Sequence, residues 1–142
     1  MINIQSGTKL LKLAPYERIP EPECADYDRI MVWVEFSIPQ LKTQFSAEFM
    51  AGDLETIKEE LIGLYQSLKN QKKSDKIVFS SVFEQVMLTF YPDESTGSVA
   101  LEMVLKPENN VESITLTDLI GIDESYFPAL LNDLDELINW QN

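Results

Sequence analysis

The stretch Arg29–Ile38, RIMVWVEFSI, limits what this chain can fold into more than any other. Strand side chains alternate between two faces, so Ile30, Val32, Val34, Phe36 and Ile38 share one face and Met31, Trp33, Glu35 and Ser37 the other. The first set is wholly apolar and has to be covered. The second set mixes a tryptophan, a methionine and a carboxylate, which suits a face left partly open. A chain built round such a strand needs further strands beside it and a second layer over its apolar side.

The flanking sequence supplies both. Thr8–Ala14 is a short strand candidate that ends at Pro15, and Lys9 and Lys12 suit an exposed edge. Two prolines and a run of carboxylates make Tyr16–Asp28 a loop, the densest acidic patch of the chain. Beyond Pro39, Lys42–Met50 sets Thr43, Phe45, Ala47 and Phe49 against Gln44, Ser46, Glu48 and Met50, which predicts an antiparallel hairpin with the first strand. A helix then runs from Ala51 to about Lys69, with Asp53 as its N-cap and Leu54, Ile57, Leu61, Leu64, Tyr65 and Leu68 in one stripe. Gly63 inside it costs about 1 kcal/mol relative to alanine, which close packing on the sheet would explain.

Strand candidates follow at Lys76–Ser80, Glu84–Tyr91, Ser98–Lys106 and Glu112–Asp118, joined by the hairpin-type turns PDESTG and PENN. Such a meander is antiparallel. Ser125–Trp140 closes the chain as an amphipathic helix, with Ser125 as N-cap and Phe127, Leu130, Leu131, Leu134, Leu137 and Ile138 on its apolar face. The expected fold class is therefore α+β: a two-layer sandwich with a mostly antiparallel, six- to seven-stranded sheet and two helices on one face. With 142 residues the expectation is a single domain over residues 1–142.

The chemistry is mostly defined by what is missing. Without histidine there is no Ser-His or Cys-His pair and no imidazole zinc site, and the single Cys24 cannot form an intrachain disulfide. No phosphate-cradling glycine motif occurs. Asp133, Asp135 and Glu136 lie opposite an apolar helix face and read as solvated surface; Asp93 and Glu94 form an acidic turn without calcium-loop spacing. No catalytic residue, cofactor or metal ligand is assigned. Against 11 Lys and Arg stand 24 Asp and Glu, a formal charge of −13. That charge repels nucleic acid and anionic lipid and hastens encounter with basic proteins. No apolar run spans a bilayer and no signal peptide is visible, so the expected compartment is cytoplasmic.

With the hairpin register as written, Trp33, Glu35, Met31, Glu48, Met87, Tyr91 and Glu102 share the uncovered face of the sheet, with Ser46 and Thr89. Aromatics and methionines beside carboxylates are what an interface uses to anchor a basic partner. Asp26 and Asp28 of the acidic loop extend the same surface. A loop or a homodimer mate covering that face is the competing reading, and a carboxylate-based hydrolase or metal binder a more distant one.

The order of segments resembles the WapI-like family of bacterial immunity proteins over nearly the whole chain. The resemblance is carried by LAPYERIPEPECADYDRIMVWVEFSI, FSAEFMAGDLETIKEELIGLYQSL and SYFPALLNDLDELINW, above all by Tyr27–Val34 and Phe45–Leu68. It implies an antitoxin, a small cytoplasmic protein that binds the toxic C-terminal domain of a large secreted toxin by stoichiometric, non-catalytic inhibition. Several such toxin domains look like nucleases, whose clefts are basic; an acidic protein docking there acts as a phosphate mimic. The alternative from a different class is a self-associating scaffold without a toxin partner.

Overall fold

Ile30, Val32, Val34 and Phe36 are buried and Trp33 is exposed, as the alternation requires, on strand β3 (Arg29–Ile38) of a computed structural model that describes residues 1–93 and 95–142. Before it come β1 (Ile2–Ser6) and β2 (Lys9–Ile19), and after it β4 (Leu41–Met50) and helix α1 (Ala51–Lys69). Strands β5 (Ile77–Ser80), β6 (Val86–Asp93), β7 (Ser98–Leu105) and β8 (Leu116–Asp123) follow, then helix α2 (Phe127–Ile138). Short 3₁₀ turns occupy Ala25–Tyr27 and Glu124–Tyr126. Glu94, in the predicted acidic turn, lies outside the described residues.

The α+β class and the antiparallel hairpins are as expected, but the single six- to seven-stranded sheet is not. The strands form two separate four-stranded antiparallel sheets, β1-β2-β3-β4 and β5-β6-β7-β8, with an isolated bridge between Glu48 of β4 and Val82 of the β5–β6 connection. The physical reason is the apolar side of each sheet: once α1, 19 residues between β4 and β5, has carried the chain off the first sheet, the later strands bury that side instead of extending the sheet. The inner faces of the two sheets then cover each other. Phe49 of β4 stacks on Phe79 of β5 with centroids 5.3 Å apart, and Phe36 and Ile38 share a cleft with Met103 and Leu105. All these residues except the rim residue Ile38 are buried in one apolar cluster with the helix stripes. Each helix thus closes a flank of the sandwich: α1 runs beside β4 and β5, α2 beside β1, and Tyr65 stacks on Phe127 between them.

Five local expectations change as well. β2 continues through Pro15 to Ile19, because Pro15 and Glu17 flank a register shift at which Tyr16 is the extra residue. A bulge is one of the few places where proline fits a sheet, so the predicted loop begins later than Tyr16. Lys9 and Lys12 are not on an edge, since β1 pairs outside them. Met50 and not Asp53 precedes α1, and Asp123 accepts from the Ser125 N–H at 2.9 Å, so Ser125 is the capped residue rather than the cap. A Cβ on Gly63 would meet nothing within 4 Å, so sheet packing does not account for that glycine.

Candidate functional site

Splitting the sheet splits the predicted face. Each sheet turns one side to the common core, so the alternate positions look away from it on two separate surfaces. Met31, Trp33, Glu35 and Glu48 lie on the outer face of the first sheet. Met87, Thr89, Tyr91 and Glu102 lie on the outer face of the second. They do not form one patch, and the expectation that they share a face is corrected accordingly.

On the first face the bulge at Tyr16 has a direct result. Its ring stacks on Trp33 with centroids 4.9 Å apart, and its hydroxyl reaches across β3 to share a 2.6 Å hydrogen bond with Ser46 Oγ. Ser46 is the β4 partner of Trp33, so three strands hold one aromatic pair in place. Trp33 nevertheless remains 44% exposed. A rigid, amphipathic, half-exposed aromatic is the type of side chain that anchors interfaces.

Two carboxylates on this face, Glu35 and Glu48, are already engaged. Lys42 Nζ lies 2.8 Å from Glu35 Oε1, and that hydrogen bond, with Lys12 adjacent, holds the Glu35 carboxyl below its usual range. Arg29 Nη1 donates to Glu48 Oε2 at 3.0 Å. Glu35 and Glu48 therefore bring little uncompensated charge. At the Arg29 end of the sheet the exposed Glu21, Glu23 and Asp26, without ion-pair partners among the described residues, lie in the segment that leads to Tyr27, itself 60% exposed.

Asp28 is not part of that surface, contrary to the sequence reading. It is only 7% exposed and accepts from the Glu21 N–H at 2.7 Å and from Arg18 Nε at 3.0 Å. The Glu21 amide and the Arg18 guanidinium hold its carboxyl below the ordinary value. Arg18 also donates to the carbonyls of Ile138, at 2.6 Å, and Trp140, at 3.0 Å. Asn142 brackets the Arg18 backbone from both sides. The pair is thus a latch that ties the end of α2 to β2. The sequence carries no signal for it, since Ile138, Trp140 and Asn142 lie 120 to 124 positions from Arg18.

The second face differs in character. The cross-strand row Val78, Thr89, Glu102 and Leu119 runs across all four strands, flanked by Tyr91, Met87 and Val104. Glu102 has no ion-pair partner among the described residues. Elsewhere, Asp135 pairs with Lys58 at 2.6 Å, and burial pushes the Asp133 carboxyl upward. No group of three or more His, Cys, Asp or Glu placed to hold a metal occurs among the described residues. No helix there is long and apolar enough to cross a membrane.

A sequence model of the immunity protein WapI-like family matches residues 1–142. No curated protein matches. The solved structure of the plant transcriptional regulator PBF-2 is similar with a TM-score of 0.51 at 13% identity, covering 96% of this chain and 78% of that one. At that identity the likeness is one of fold alone.

Proposed function

Because the chain belongs to the WapI-like immunity protein family, whose role implies a cognate toxin, we propose that it neutralises a basic toxin domain by stoichiometric, non-catalytic binding through the outer face of its first sheet. The family match over the whole chain carries the reading. Three features of the molecule support it. The Tyr16–Trp33 pair with Met31 offers a rigid apolar centre, the Glu21–Asp26 segment offers unpaired carboxylates at its rim, and the chain's charge of −13 favours a cationic partner. A nuclease cleft fits that chemistry, because it must be basic to hold a phosphate backbone.

Glu35 and Glu48 act here as the ion-paired frame of the aromatic centre rather than as contacts to toxin lysines. Asp26 takes that contact role. The test begins with affinity capture on the tagged chain from its native cells, eluted by rising salt. The captured toxin domain is then titrated with pure chain. Toxic activity that falls linearly to zero at one equivalent supports the proposal, and activity that persists at several-fold excess refutes it.

A second reading, self-association as a scaffold, is favoured by the second sheet, where Val78 and Leu119 stand exposed on either side of Glu102. Sedimentation over a concentration series separates the two. A monomer at micromolar concentration removes the scaffold reading.

A further inference from the structure

Phe83 sits on the connection between β5 and β6, outside the aromatic pair and the acidic rim. Its backbone has φ 65°, and that of Glu84 has φ 55°. This left-handed region costs a residue with a Cβ, and bulky side chains are found there least; glycine or asparagine is the usual occupant. The conformation persists because its surroundings over-determine it. The Ser81 N–H donates to the Val86 carbonyl at 2.9 Å, and Ser81 Oγ accepts from the Val86 N–H at 3.0 Å. The Glu84 N–H donates to the Ser81 carbonyl at 3.1 Å, and the Val82 N–H to the Glu48 carbonyl at 2.9 Å. Buried Gln85 donates its amide to the carbonyls of Lys106 and Pro107. A loop this firmly held still leaves Phe83 57% exposed. The ring gives the fold little in return for the strain, and strain of this kind collects at binding surfaces.

We propose that Phe83 is a second, pre-organised anchor for the toxin, a ring held ready to enter an apolar pocket on a basic surface. The proposal rests on the toxin-binding reading above. Two observations choose this occupant. Val82 bridges to Glu48, which pairs in turn with Met31, so the loop continues the row that crosses the Trp33 face. The residue beside the ring is the exposed Glu84, and the chain as a whole carries −13, so a second copy would set carboxylate against carboxylate where a basic toxin finds complementary charge. Holding the ring rigid before binding removes part of the ordering cost of association.

The experiment compares the parent chain with Phe83→Gly and Phe83→Asn by thermal melting, sedimentation and calorimetric titration with the captured toxin domain. Relief of the left-handed strain raises the Tm of the glycine variant by about 1–3 °C, while its toxin affinity falls at least about tenfold. Phe83→Asn, which tolerates the same backbone, loses affinity equally. A glycine variant that melts lower than the parent overturns the strain argument. Variants that bind toxin as tightly as a binding parent overturn the anchor alone, whereas a parent that does not bind overturns the toxin reading and the anchor with it. A parent that sediments as a dimer while the glycine variant is monomeric assigns the ring to a second copy and overturns the proposal.

Discussion

Arg18 shows how much one side chain can hold together in this fold. It pairs with Asp28 and caps two carbonyls at the end of α2, so Arg18→Met strands a buried carboxylate and two acceptors. The expected result is a Tm lower by roughly 5–10 °C, read by thermal melting. The same pair sets an acid limit. A carboxylate whose folded pKa lies below its unfolded value stabilises fully above the unfolded value, near pH 4, and loses that contribution as pH falls through the folded one. Unfolding free energies measured from pH 6 down to pH 2 should therefore drop in the parent, and drop less in Asp28→Asn. Trp33 was legible as a candidate from alternation alone. Tyr16 was not, because its place over Trp33 depends on a bulge at Pro15 that sequence patterns render as the end of a strand. Asp28 was misread because a carboxylate among prolines and glutamates looks solvated until its arginine is located.

At the level of elements, periodicity went far. Both helices, the β3–β4 hairpin and the β6–β7 pairing follow from spacing and turn residues, because each is decided by local contacts. β1 was missed and β8 was placed too early, since a five-residue strand and an edge strand with only a half-buried pattern leave little periodic signal. The two helical glycines differ for reasons only the structure supplies. Gly63 faces open space, so Gly63→Ala should stabilise by about 1 kcal/mol in denaturant titration. A Cβ on Gly52 would stand 3.0 Å from the Asp26 carbonyl, so Gly52→Ala should destabilise by about 1–3 kcal/mol.

For the whole molecule, the decisive step beyond the sequence is that two sheets replace one. Strand patterns tell which side of each strand is apolar but not which strands share a sheet, and a helix between hairpins permits either arrangement. The consequence is functional: one predicted face becomes an aromatic face on the first sheet and an apolar face around Glu102 on the second. The proposed binding face predicts that reversing Glu21, Glu23 and Asp26 to lysine slows toxin association about tenfold at low salt. Glu102→Lys should leave that rate close to the parent's. The experiment we would place ahead of the others is calorimetric titration of the captured toxin domain with parent and Trp33→Ala, each first verified as folded. One-to-one binding by the parent, weakened at least about thirtyfold by the alanine variant, is the expected result. Equal affinities for the two proteins would contradict the aromatic face as the toxin-binding surface.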